Sequence, residues 1–305
     1  MKTYQDRCNP IYADVPFMEI RGLYIPFPNI VEPKYDGEFA YLVKKNGVTF
    51  LANKKEYGRI RTDLAVTNSI DIPEDSIFTA ELIWGRGTNF YDFLRHKLSD
   101  DFNLAVFGCL KYAGEDVWKQ NDYIETRKLL ESQTFYNKKV LLAPKVICHN
   151  KQELDGYFHL VTAQGYEGIV IKDPLSKFVD GETGRWAKWK HQADNDFAII
   201  GFQSGSKRAK TLSVLVGYRL DGKIQRLTYV GGGFKIDEKE AILAVLKTII
   251  SGHSGDEYYV EPKIVITVQH YGIIRNEDGT INSLRHPQFK CVRFDKTVEQ
   301  IDELK

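Results

Sequence analysis

The chain of 305 residues is long for one domain and natural for two, and it can bury a core without disulfides or structural metal. Hydrophobic residues make up 43% of it, yet no apolar run approaches the roughly 18 residues of a membrane span, so no membrane is expected. With 42 basic against 41 acidic residues, the formal charge of +1 argues against a broad nucleic-acid footprint and leaves open a local cluster of cations.

Residues 1–7 lack the apolar core of a secretory signal. Cys8, Cys109, Cys148 and Cys291 stand far apart with no CxxC pair, which reads as reduced intracellular thiols and not as a disulfide framework or zinc site. Strands are expected over 39–43 and 48–51, flanking an Asn46-Gly47 hairpin turn. Residues 77–83, 104–107 and 168–172 are further strand candidates, rich in β-branched and aromatic side chains. Helical patterns cover 123–133 and 151–164, the second opened by Asn150 and Glu153 in capping-box spacing.

Composition shifts near residue 193. Strands are expected over 197–202, 212–219 and 223–230, with Asp221-Gly222 turning between the last two. A helix over about 237–251 and strands over 263–270 and 288–294 follow. Five strands with one helix suit a small OB-type barrel. The expected class is α+β: residues 1–193 form antiparallel sheets flanked by helices, and 194–305 form the barrel.

The chemistry-bearing residues fall in a fixed order. Glu32-Pro-Lys34-Tyr-Asp36-Gly37 contains a KxDG pattern that, alone, is weak. Glu81 lies near the end of a strand in Thr79-Ala-Glu81, and Phe107 closes another. Glu167-Gly-Ile-Val-Ile-Lys172 starts with a carboxylate and ends with a lysine. Trp186-Ala-Lys188-Trp-Lys190 sets two lysines on one strand face by period-two spacing, with the tryptophans read onto the opposite face. Arg285-His-Pro and Arg293-Phe-Asp295-Lys296 close the series. Read one at a time, Phe107 fits a plain core, and Glu81, Arg293 and Lys296 fit ordinary surface charges. Lys188 and Lys190 fit the solvated side of an edge strand.

Taken together, the ordered set resembles the covalent nucleotidyltransferase superfamily, and most closely its ATP-dependent DNA ligases. KYDG, EGIVIK and the KxK pair are shared across that superfamily. Val230-Gly-Gly-Gly-Phe234, Arg285-His-Pro and Val292-Arg-Phe-Asp-Lys296 resemble the DNA-ligase barrel. The resemblance implies a nucleotidyltransferase (adenylation) domain followed by an OB-fold, and an enzyme that uses ATP and Mg²⁺ to seal nicked duplex DNA.

It makes Lys34 the nucleophile that attacks the α-phosphate of ATP and forms a lysyl-adenylate. The cations of Lys172, Lys188 and Lys190 would help expose its lone pair. Glu81 and Glu167 would supply hard oxygen ligands to Mg²⁺. Glu32 would recognise adenine and Phe107 would stack on it, while Gly37, Glu167, Lys172 and Lys188 would line the nucleotide. Asp36 would act around the ribose and in sealing. Arg293, Asp295 and Lys296 would orient the departing pyrophosphate as the barrel closes, before it swings away for the later steps. Lys54, Arg59, Lys207 and Arg208 are the candidates for duplex phosphates.

The chain departs from the family at Phe39, where an arginine is usual, and at Leu51-Ala52-Asn53, where Ser-Arg-Asn is usual. Phe107-Gly108-Cys109 replaces Phe-Asp, and Thr79-Ala80-Glu81 replaces Asp-Gly-Glu. With about 30 residues ahead of Lys34, no separate N-terminal DNA-binding domain is expected. The form that the resemblance implies is a minimal, intracellular, monomeric two-domain ligase. The alternatives are an RNA ligase or mRNA guanylyltransferase, and an inactive OB-containing nucleic-acid-binding protein.

Overall fold

A computed structural model describes residues 18–22, 25–52, 60–61, 66–67, 70–87, 90–96, 99–133, 138–179, 181–204, 212–276 and 278–304. The chain divides into two units, Met1–Lys190 and His191–Lys305.

The first unit begins with β1 (Met18–Gly22) and β2 (Asn29–Lys34). The hairpin of β3 (Glu38–Lys45) and β4 (Val48–Ala52) follows. Asn46 and Gly47 both take positive φ, 52° and 74°, as a two-residue hairpin turn requires. Next come β5 (Ile60–Arg61), β6 (Ser76–Ile83), α1 (Phe90–Arg95) and β7 (Asn103–Lys111). The unit continues through α2 (Val117–Gln120), α3 (Tyr123–Glu131), β8 (Val140–Leu142) and β9 (Val146–Cys148). It ends with α4 (Lys151–Ala163), β10 (Gly168–Lys172) and β11 (Gly181–Lys190).

These strands form two sheets, ordered β5-β4-β3-β6-β7-β8 and β1-β11-β10-β2-β9. Pairing is antiparallel except at β7–β8 and β1–β11, so both sheets are mixed. Buried residues of the six-stranded sheet pack with Phe93, Phe102, Val117 and Leu130. One face of the five-stranded sheet packs on α4 through Phe158 and Val161. That helix starts where its cap chemistry dictates: the Glu153 N–H donates to Asn150 Oδ1 at 3.0 Å, and the Glu153 carboxylate accepts from the His149 N–H at 2.8 Å.

The second unit contains β12 (Ala193–Ser204), β13 (Leu212–Leu220), β14 (Lys223–Val230) and α5 (Ile236–Thr248). Then come β15 (Ile250–Ser254), β16 (Glu257–Val260) and β17 (Val265–His270). A small hairpin of β18 (Ile273–Arg275) and β19 (Ile281–Leu284) precedes β20 (Gln288–Val292). The long β12 pairs with β17 over residues 193–198 and with β13 over 198–204, and it also pairs with β16 over 201–203. The register breaks between Ile199 and Gly201, so the strand bends as it changes partners. The result is a curved antiparallel sheet closed around Phe197, Val214, Val230, Leu246 and Val268, which resembles an OB-fold.

The structure revises two sequence expectations in this unit. The helix ends at Thr248, and residues 250–254, whose first two fall inside the expected helix, are a strand. The strands β15, β16, β18 and β19 add to the five expected. Most of the β15 side chains are exposed, so it carries no alternation of apolar and polar residues by which to find it. Among the described residues, no helix is long and apolar enough to cross a membrane.

Candidate active site

Three adjacent strands of the first unit place the site. In β2, β10 and β11, Lys34 lies opposite Gly168 and Gly168 opposite Lys190. The next row is Glu32, Val170 and Lys188, and the third is Ile30, Lys172 and Trp186. Directly paired residues share a face, so these rows line one side of the sheet. Alternation sends Val31, Ile169, Ile171, Ala187 and Trp189 to the other side, into the core beneath α4. There Trp189 stacks on Phe158 with ring centroids 4.1 Å apart. Trp186 therefore shares the face of Lys188 and Lys190, contrary to the expectation that both tryptophans oppose the lysines: residues two and four apart on a strand point the same way. Gly168 is required by close approach and by its φ of +149°, because a Cβ there would lie 2.0 Å from the Trp189 carbonyl oxygen.

Two charge networks occupy this face. In the first, the buried Glu167 takes the Lys34 ammonium on one oxygen and Lys190 on the other at 2.7 Å. Burial pushes the Glu167 carboxyl up, but the two lysines more than offset this and hold it below the ordinary carboxylate range. In the second, the buried Glu32 meets Lys172 at 2.6 Å and Arg127 at 2.9 Å, and it accepts from the Tyr123 hydroxyl. Lys172 also donates to the Tyr123 hydroxyl at 2.9 Å. Its ammonium sits 4.4 Å from the Tyr123 ring centroid, 4.5 Å from that of Trp186 and 5.4 Å from that of Phe107. Burial lowers the Lys172 pKa, with Glu32 opposing the shift.

The six-stranded sheet supplies the facing groups. The Gly37 N–H donates to Glu81 Oε1 at 3.2 Å. A Cβ at Gly37 would lie 2.2 Å from the Leu82 carbonyl oxygen, so only glycine brings the chain after Lys34 this close to β6. Burial pushes the Glu81 carboxyl up to about 7, opposed by Lys34 and the Gly37 N–H and reinforced by Glu167 and Asp36. Asp36 is buried, and its N–H donates to the Gly87 carbonyl at 2.8 Å. Phe107 is half-buried beside Phe39, with centroids 6.1 Å apart.

Residues 24–190 match the family model described as the ATP dependent DNA ligase domain, and residues 207–296 match that of the ATP dependent DNA ligase C terminal region. The chain belongs to the ATP-dependent DNA ligase family. A DNA ligase of Archaeoglobus fulgidus is 30% identical over 189 residues, covering 59% of this chain and 34% of that protein. One of Methanospirillum hungatei is 25% identical over 294 residues, covering 90% of this chain and 53% of that one. The chain thus spans between a third and about half the length of these relatives. The solved structure named Pmar-Lig_Pre superposes with a TM-score of 0.70 at 18% identity, covering 92% of this chain and 68% of that one, a likeness of fold.

The candidate residues named from the ligase resemblance in the first unit fall in the two sheets described: Glu32, Lys34, Glu167, Lys172, Lys188 and Lys190 in or beside the five-stranded one, and Glu81 and Phe107 in the six-stranded one, with Asp36 and Gly37 between β2 and β3. In the second unit, Arg293 and Lys296 both pair with Asp196 at 2.7 Å, and Arg293 also pairs with Asp295 at 2.6 Å. Lys54, Arg59, Lys207 and Arg208 lie outside the described residues.

Sequence reasoning missed Tyr123, Arg127 and Asp196. The first two had a signal: Tyr123, Arg127 and Leu130 fall at helical spacing on the buried face of α3, and an arginine in such a row needs a buried anion. Lys34 faces Glu167 rather than bare cations. As the ammonium paired with that carboxylate, Nζ carries no lone pair, so a nucleophilic role would require it to lose a proton first.

Proposed function

We propose that the chain is an ATP-dependent nick-sealing DNA ligase working through a lysyl-adenylate on Lys34. The observation that carries this is the row Lys34–Gly168–Lys190 closed by Glu167, beside the fixed Glu32–Lys172 pair, in a chain whose two parts both match ligase family models. When the Lys34–Glu167 pairing opens, Nζ gives its proton to water, since the lysines that hold the Glu167 carboxyl low make it a poor acceptor. Nζ then bonds to the α-phosphorus of ATP as the bond to pyrophosphate breaks. AMP passes from Nζ to the 5′-phosphate of the nick, and the 3′-hydroxyl displaces it to join the strands. Positioning and electrostatics dominate such phosphoryl transfers.

Lys188, on the exposed part of the same face, and Lys190 would balance charge on the α-phosphate. Phe107 would stack on adenine, Glu32 would recognise it, and Asp36 would act at the ribose. Gly37 and Lys172 complete the nucleotide-binding set. Arg293, Asp295 and Lys296 would act on the departing pyrophosphate, while Lys54, Arg59, Lys207 and Arg208 would contact duplex phosphates.

No group of three or more His, Cys, Asp or Glu side chains among the described residues could cage a metal. The pair Glu81 and Glu167, whose charges disfavour one another, fits Mg²⁺, which takes one or two carboxylates plus substrate phosphates and keeps several waters. When bound there, Mg²⁺ would neutralise charge on the triphosphate. The reading sets the protein inside the cell, acting as a monomer on nicked DNA.

Incubation with radiolabelled ATP or GTP, resolved on a denaturing gel, tests it. ATP should label the chain, and Lys34→Ala should abolish both labelling and the sealing of a nicked duplex. Labelling by GTP alone, or sealing by the Lys34→Ala protein, would overturn the reading.

A further inference from the structure

We propose that Asp196 is a positioning residue for the adenylation step, one that holds Arg293 and Lys296 as a preset pair for the departing pyrophosphate. The proposal rests on the ligase reading above. Asp196 Oδ2 accepts from Arg293 Nη1 and from Lys296 Nζ, each at 2.7 Å. Its other oxygen, Oδ1, accepts from the Thr267 hydroxyl at 2.6 Å, and Thr267 is its direct partner across β12 and β17. The carboxylate is therefore fixed at both oxygens. The Arg293 N–H adds a backbone anchor to the Val265 carbonyl at 2.8 Å.

The exposures separate an anchor from an exchangeable contact. The Asp196 side chain is 9% exposed, whereas that of Asp295 is 66% exposed. Asp295 covers the Nε and Nη2 edge of the Arg293 guanidinium at 2.8 and 2.6 Å. Two parallel N–H groups on such an edge fit a phosphate as well as they fit a carboxylate. An exposed carboxylate in water gives up that edge cheaply. Asp196, shielded and doubly held, keeps its place beneath both cations.

Without it, two like charges stand side by side and separate. With it, Arg293 offers the edge that Asp295 gives up and Lys296 its remaining donors as one unit. When Nζ of Lys34 bonds to the α-phosphorus, the bond to the bridging oxygen breaks and the pyrophosphate carries off the electron pair. That is where two fixed cations count most. Joining a nick that already bears AMP on its 5′-phosphate releases AMP and no pyrophosphate, so Asp196 should matter little there.

The test compares Asp196→Asn with the unsubstituted full chain in two assays: single-turnover self-adenylation across ATP concentrations, and sealing of a pre-adenylated nick without ATP. Adenylation at saturating ATP should fall by about tenfold or more, while pre-adenylated sealing stays within about twofold. Thr267→Val, which frees one oxygen of Asp196, should give a smaller fall in the same assay only. In an Arg293→Ala, Lys296→Ala background, Asp196→Asn should cost less than about twofold further, because it acts through those side chains. Unchanged adenylation, equal loss in both assays, or a full additional tenfold loss in that background would overturn the proposal. Failure of the unsubstituted protein to label with ATP would instead sink the ligase reading, and this proposal with it.

Discussion

Glu167 and Glu32 each hold two cations on one sheet face, and they do opposite jobs. Glu167 sits at the mouth of the face with Lys34 and Lys190, where it can exchange partners with a substrate. Glu32 is buried among Lys172, Arg127 and Tyr123, so recognising adenine would cost it one of those contacts. Across from them, Glu81 has a carboxyl raised to about 7. A carboxyl whose folded pKa lies above its unfolded value stabilises the fold at low pH, and it loses that contribution as pH rises through the folded pKa. Glu81→Gln, which mimics the protonated form, should therefore match the metal-free parent in thermal stability below about pH 4. It should exceed the parent above about pH 7, with the gap opening between those values as the unfolded and then the folded carboxyl ionises. Thermal unfolding in a chelator at several pH values measures this, and a gap independent of pH would contradict it.

At the scale of elements, legibility followed local chemistry. The hairpin between β3 and β4 and the strand β10 were readable from an Asn-Gly turn and an apolar run, and α4 from its cap. The short strands β5, β8 and β18, of two or three residues, carry too few side chains to show a period. The strand β2 hid because its burial is continuous, covered on both faces, with no polar alternation to mark it. The candidate nucleotide-site residues came from the ordered resemblance to ligases, which names no supporting residues. Arg127 reaches from α3 to Glu32 of β2 and also donates to the Ala143 carbonyl, so one side chain ties a helix, a strand and a loop. Arg127→Met leaves a buried carboxylate with one cation fewer and should cost about 3–5 kcal/mol of stability in urea unfolding. Adding Glu32→Gln should recover part of that loss. A single variant as stable as the parent would show that the pair contributes nothing net.

For the whole molecule, the near-neutral charge holds for both parts of the chain. From Asp196 onward there are 16 basic and 14 acidic residues, and the remaining residues sum to −1. Weak bulk charge gives little long-range attraction, so affinity for nicked DNA should come from a few direct phosphate contacts. If the four cations proposed for this, Lys54, Arg59, Lys207 and Arg208, each meet one phosphate, the logarithm of the binding constant should fall with the logarithm of salt at a slope of about −4. Anisotropy of a labelled nicked duplex over a salt series checks this, and a slope near zero would refute it. The rows of β2, β10 and β11 also limit how this chain can change in length over descent. Removing or adding one residue in β11 would turn Lys188 and Lys190 into the core under α4 and turn Trp189 out onto the face of Lys34 and Glu32. Substitutions there can be accepted one face at a time, whereas single-residue gains and losses cannot. Length variation among descendants should collect in turns such as Asn46-Gly47 and Asp221-Gly222, leaving the spacing from Glu167 to Lys172 and from Lys188 to Lys190 constant.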